Sequence, residues 1–207
     1  MKGKWWLYVA FFIVLVGAFW YFLFAGTDNY KVKLPVLGYV QNFTFTDQDG
    51  KTINENNVGG KVYVAEYFFT TCKGICPKMN ANMKTVYDQF RMEKNFAIIS
   101  HTCMPETDSV SILKLYEQRL LGNATATNQN WYFVTGSKDS LYKMARESYL
   151  LDNDKNNSVN IKDQFIHTQF FALVDKQRRV RGIYDGLKQD ELVKLSEDIK
   201  DLLKEKS

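Results

Sequence analysis

The sequence predicts an α/β protein: a mixed sheet flanked by helices over residues 39–207, behind a single N-terminal transmembrane helix. Three observations predict it. Through most of the chain, β-rich apolar runs alternate with amphipathic stretches, the pattern of a largely parallel sheet with right-handed crossovers. The last two β-rich runs, Phe165–Asp175 and Val180–Tyr184, are separated only by a short charged turn, so they add antiparallel strands. Finally, Trp5–Phe24 runs for twenty residues without a charge.

That apolar run, as a helix rising 1.5 Å per residue, matches a hydrocarbon core of about 30 Å. It is longer than the core of a cleavable signal, and Phe24-Ala25-Gly26-Thr27 makes a poor cleavage site. Trp5, Trp6, Trp20 and Tyr21 stand at its two ends, where amphipathic rings favour the headgroup level. Lys2 and Lys4 precede it, whereas Asp28 offsets Lys31 and Lys33 after it. The positive-inside rule therefore leaves residues 1–4 in the cytoplasm, lipid around 5–24 and the main domain outside the cytoplasm. Residues 25–38, with Pro35 and Gly38, read as a linker.

Beyond the linker, Phe43–Thr46 and Lys51–Ile53 flank Asp47-Gln48-Asp49-Gly50, a hairpin with Asp-Gly turn chemistry. Lys61–Phe69 is a buried strand candidate, and Pro77–Glu93 follows with helical periodicity at Met79, Met83, Val86, Tyr87 and Phe90. Asn95–Ser100 is a strand, Ser109–Leu121 a helix, Trp131–Thr135 a strand and Lys138–Tyr149 a helix. The late hairpin precedes a closing amphipathic helix, Lys188–Lys204. A strand, a Cys-x-x-x-Cys opening a helix, a late hairpin and a final helix form the thioredoxin-like arrangement.

Composition narrows the function. The formal charge is +4, of which Lys2 and Lys4 contribute two, and the remaining basic residues are dispersed among the acids. Nucleic-acid binding, which needs clustered basic residues, is not expected. No nucleotide loop, hydrolase elbow or paired-carboxylate pattern occurs. Three cysteines cannot make a disulfide scaffold, yet Cys72 and Cys76 can form a reversible pair in an oxidising compartment.

The segment Thr70-Thr71-Cys72-Lys73-Gly74-Ile75-Cys76-Pro77-Lys78-Met79 lies where a strand gives way to a helix. Pro77 fits a first helical turn, so both sulfurs are expected near a helix N-terminus, beside Lys73 and Lys78. Lowered thiol pKa values are expected for the two. Such thiols suit attack on a disulfide and ligation of a soft metal equally. Two-residue spacers are usual in thiol oxidoreductases of this fold, and a third intervening residue lets both sulfurs face one point. Two thiolates favour Cu(I) or Zn(II) and need a further ligand. Of the two histidines, His167 precedes the last hairpin, which in a thioredoxin-like fold lies beside the cysteine loop. Cys72, Cys76 and His167 are therefore the expected metal ligands. The alternative is a metal-free thiol–disulfide oxidoreductase with Cys72 as nucleophile and Cys76 as resolver.

These residues carry a family resemblance. Phe68-Phe69-Thr70-Thr71-Cys72-x-x-x-Cys76-Pro77-x-Met79, Trp131–Gly136, Phe165-Ile166-His167, Ala172–Lys176 and Arg181–Gly186 resemble the Sco/SenC family in order and spacing. The resemblance implies a membrane-anchored, periplasmic-side copper protein that helps assemble the copper centre of cytochrome c oxidase. It also implies copper held by the matching cysteines and histidine, as Cu(I) with Cu(II) the second candidate, and a metallochaperone that can also reduce its partner's thiols. Where the family commonly has Ser-x-Asp-Pro-Glu, this chain reads Ser100-His101-Thr102-Cys103-Met104-Pro105-Glu106, so Cys103 and His101 become secondary candidates for a role near the site. Arg178 replaces a frequent turn glycine. Met79 and Met83 read as core, Glu66 as an unusual acid in a buried strand, and Lys176–Arg181 as a solvated turn.

Overall fold

The computed structural model describes residues 3–24, 33–122, 130–152, 160–166 and 168–205, in two units, 1–34 and 35–207. The first unit contains α1 (Trp5–Phe24), the one helix among the described residues long and apolar enough to cross a bilayer.

The second unit is built on a six-stranded sheet in the order β1-β8-β7-β4-β5-β6. Its strands are β1 (Gly38–Tyr39), β4 (Val62–Phe68), β5 (Phe96–Thr102), β6 (Trp131–Val134), β7 (Phe170–Val174) and β8 (Arg179–Asp185). β4, β5 and β6 run parallel, while β7 pairs antiparallel with β4 and β8, and β1 with β8. Every residue of β4 and β5 is buried, as expected for central strands covered on both faces. A separate hairpin, β2 (Thr44–Thr46) with β3 (Thr52–Asn54), turns through Gly50 at φ 73°, a left-handed conformation that glycine adopts without strain. The one-turn helix α2 (Glu55–Val58), not anticipated from the sequence, is capped by Asn54 and Asn57 reciprocally.

The helices α3 (Cys76–Phe90), α4 (Val110–Leu121), α5 (Lys138–Lys143) and α6 (Gln189–Lys204) fall where the periodicity puts them. One sheet face meets α3 and α4: Glu66 and Phe68 of β4 and Ser100 of β5 reach Asn80, Tyr116 and Trp131 on this side. The opposite face presents Tyr63, Tyr67, Ile99 and His101 to the β2–β3 hairpin and the α5 region. Met79 and Met83 are fully buried, in the core role their helical spacing suggests.

Three expected elements differ. The helix expected over 138–149 ends as α5 and continues as a π-helical segment, Met144–Ser148, which closes with Tyr149 N–H on Met144 O and Leu151 N–H on Ala145 O. This wider turn buries Tyr149 and Leu151 and leaves Leu150 at φ 58°. The strand expected from Phe165 starts at Phe170, where its pairing with β8 begins at Phe170↔Asp185; before it, the Gln164 carbonyl accepts from the Tyr142 hydroxyl at 3.3 Å. The run Lys176–Arg181 is only partly solvated. Arg178 takes the left-handed turn position at φ 61°, but Arg181 is 3% exposed and pairs with Asp175 at 2.8 Å and Glu205 at 3.2 Å. An inward position at the end of the sheet is tolerable for that guanidinium because two carboxylates meet it.

Candidate metal centre

β4 ends at Phe68 and α3 begins at Cys76, so Cys72 lies in the crossing and Cys76 in the first helical turn. Ile75, at the cap position, offers no side-chain acceptor, and Pro77 occupies the start of the helix. The first N–H groups of α3 are thus free for another acceptor. Cys72 takes that place. Partial burial pushes its thiol up, but hydrogen bonds from the Cys76 thiol and from the N–H groups of Cys76, Gly74 and Ile75 outweigh burial and hold Cys72 below the usual thiol range.

Cys76 behaves in the opposite sense, correcting the expectation of two low-pKa thiols. It is 5% exposed, and burial pushes its thiol up to about 12, reinforced by the hydrogen bond it makes to Cys72. Both cysteines are free thiols. The pair is therefore asymmetric: a partly exposed thiol held below its usual range, and a covered one that keeps its proton until something at the site compensates the charge.

His167 lies outside the described residues, between Ile166 and Thr168, both buried. Among the described residues no group of three or more His, Cys, Asp or Glu side chains is arranged to hold a metal. The described part of the expected site is thus two soft donors side by side, a set suited to Cu(I) and incomplete without a further ligand. Nearby, Phe69 meets Phe165 edge to face at 5.4 Å, joining the cysteine loop to the segment before His167.

The secondary candidates are both enclosed. Cys103 is 2% exposed and burial raises its thiol well above the usual range. His101 is fully buried between Tyr67, at 4.8 Å and stacked, Phe45 and Tyr149, with Nδ1 3.2 Å from the Glu66 carbonyl oxygen. Burial lowers its pKa to about 3, so the ring is neutral.

Two buried acids stand near the cysteine loop, Glu66 close enough to act on Cys76 and Asp108 bonded to Thr70. Glu66 is fully buried and accepts from Ser100 Oγ at 2.5 Å. With the Asn80 amide oriented to satisfy its neighbours, Asn80 donates to Glu66 at 3.0 Å and accepts from the Tyr116 hydroxyl at 2.5 Å. Burial raises the Glu66 carboxyl to about 7, against the opposing effect of the Ser100 bond. Asp108 is likewise buried and accepts from Thr70 and Thr102. An acid in a strand without alternation was the available signal for Glu66; nothing local marks Asp108.

The SCO1/SenC family model matches residues 35–204. The chain belongs to the SCO1/SenC family. A SCO1 protein homolog of Bacillus subtilis is 31% identical over 182 residues, covering 86% of this chain and 91% of the relative. A SCO1/SenC family lipoprotein from Bacillus anthracis superposes with TM-score 0.70 at 29% identity, covering 84% of this chain and all of that one. BsSco, described as a Sco-family cytochrome c oxidase assembly protein with a disulfide switch, gives TM-score 0.67 at 31% identity, covering 85% and 99%. At 21% identity and TM-score 0.56, copper-bound yeast Sco1 shares the fold, covering 80% and 94%.

Proposed function

We propose that this Sco-family protein carries copper as cargo, binding Cu(I) through Cys72, Cys76 and His167 and passing it to a cytochrome c oxidase copper-centre subunit or another copper protein. The observation that carries this reading is the dithiol at the start of α3, with the Cys72 thiol held below its usual range and the Cys76 thiol pushed above it. A soft cation compensates the charge that burial makes costly at Cys76, so the covered thiol gives up its proton as the metal arrives. With an imidazole as third ligand, the low coordination number leaves room for a partner's ligands, and exchange proceeds by replacement of one donor at a time. In this reading α1 is the single-pass anchor through lipid, residues 1–4 are cytoplasmic, residues 25–38 are the linker and the domain from residue 39 works on the periplasmic side.

The same asymmetry favours a second activity on the same residues. An accessible thiolate at Cys72 attacks a partner disulfide to give a mixed disulfide. Cys76 then loses its proton, attacks the Cys72 sulfur and releases the partner as a dithiol, leaving a Cys72–Cys76 disulfide in this chain. The Cys72–Cys76 dithiol is oxidised as it prepares a partner's cysteines for copper, and the step needs neither metal nor His167. Anaerobic titration of the reduced, detergent-solubilised chain separates the readings. One Cu(I) per chain is expected, with Cys72→Ser and Cys76→Ser failing to bind and His167→Ala weakened at least about tenfold. Unchanged affinity in His167→Ala would remove the imidazole from the site, and full disulfide reduction without copper binding would favour the oxidoreductase.

A further inference from the structure

The crossing that carries Cys72 has little backbone support of its own. Between Phe69 and Ile75 the described hydrogen bonds include one internal backbone tie, Cys72 N–H to Phe69 O at 3.3 Å. The ladder between β4 and β5 ends just before it, with Cys103 N–H on Phe68 O at 2.7 Å. The next link is a side chain. Asp108, in the neighbouring crossing and fully buried, accepts from Thr70 N–H at 3.1 Å and from the Thr70 hydroxyl at 2.6 Å. Its Oδ2 also accepts from Thr102 Oγ1 at 2.5 Å, and Thr102 Oγ1 accepts from Met104 N–H at 2.9 Å.

We propose that Asp108 is a positioning residue for Cys72, holding Thr70 so that the Cys72 sulfur stays on the N–H groups at the start of α3. It acts through Thr70, two residues before Cys72, and through Thr102 it fixes that crossing to the end of β5. Burying a carboxyl group is costly unless its oxygens are satisfied, and these are satisfied by Thr70 in the crossing and Thr102 at the end of β5. Losing the Thr70 bonds would free the loop to fluctuate, and each excursion takes the Cys72 sulfur off the donors it meets at the start of α3 and away from Cys76. The role rests on the reading that Cys72 is the working sulfur of the pair, whether on copper or on a disulfide.

Thr70→Val removes the hydroxyl donor at nearly constant shape, Thr70→Ser keeps it, and Asp108→Asn weakens the acceptor. In the reduced, metal-free full chain, the alkylation rate of Cys72 by iodoacetamide is followed against pH by peptide mass spectrometry, with Cys103 protection reporting an intact fold. Thr70→Val is expected to lower the rate at pH 7 about threefold or more and to move the midpoint of the profile upward. Thr70→Ser should stay within about twofold of the parent, and adding Thr70→Val to Asp108→Asn should have little further effect. Equal profiles for Thr70→Val and Thr70→Ser, or faster alkylation of Thr70→Val with Cys103 still protected, would overturn the proposal. Copper titration of the unaltered chain is independent: failure to bind Cu(I) alongside the expected Thr70 pattern would defeat the copper reading and leave the positioning role standing.

Discussion

Two neighbouring crossings leave the sheet at the same end, and each carries a cysteine, but their chemistry diverges. β4 and β5 are paired from Val62↔Phe96 to Phe68↔Thr102, so Cys72 and Cys103 both follow the ends of adjacent parallel strands. The β4–α3 crossing contains Gly74, leaves Cys72 partly exposed and aims helix N–H groups at its sulfur. The β5–α4 crossing folds inward: Cys103 N–H bonds to Phe68 O, its carbonyl accepts from the Tyr142 hydroxyl at 2.9 Å, and its thiol is sealed. Position at a strand end therefore does not make a cysteine reactive. Exposure together with unspent backbone donors does.

The contrast continues below each cysteine. Glu66 in β4 leans towards α3 and α4, beneath Cys76, whereas His101 in β5 leans to the other face and sits in an aromatic box. Burial pushes both towards their neutral forms, which moves the acid up to about 7 and the imidazole down to about 3.

The largest expected effect is kinetic. Under native, reducing conditions iodoacetamide should modify Cys72 at least about a thousandfold faster than Cys103, because Cys103 reacts only through opening of the fold. Comparable native rates would mean that the two crossings are alike in solution. The next effect is on stability. Because the folded Glu66 carboxyl keeps its proton to higher pH than the unfolded one, it destabilises the fold at pH 8, and that cost disappears as pH falls towards 5. Its size is roughly 3 kcal/mol. Glu66→Gln should therefore be more stable than the parent at pH 8 and lose the advantage at pH 5, as read by urea midpoints. His101 acts with the opposite sign: its contribution is present above about pH 6.5 and is lost towards pH 3, equally in both proteins, so the difference between them isolates Glu66. A constant difference across pH would show that Glu66 does not titrate in this range.

Much of this was legible in the sequence. Continuous β-rich apolar runs and helical periodicity placed β4, β5, β6, β8 and the helices α3, α4 and α6, because those elements have long buried faces. The Cys-x-x-x-Cys-Pro run located the thiols at the start of a helix. What was not legible depends on contacts distant in the chain. The opposite pKa directions of Cys72 and Cys76 follow from unequal burial, which spacing does not encode. The inward pairing of Arg181 requires Glu205, and the clasp at Thr70 requires Asp108, 38 residues away. The π-helical turn at Met144–Ser148 reflects competition for core space by Tyr149 and Leu151, and the late start of β7 depends on where its partner β8 ends, at Phe170↔Asp185.

X-ray absorption on the anaerobically Cu(I)-loaded chain counts the atoms bound to the metal. Two sulfur and one nitrogen scatterers are predicted, from Cys72, Cys76 and His167, with no change in Cys103→Ser. A third sulfur, or a copper site without nitrogen, would overturn this ligand set and bring the second crossing, or another donor, into the site.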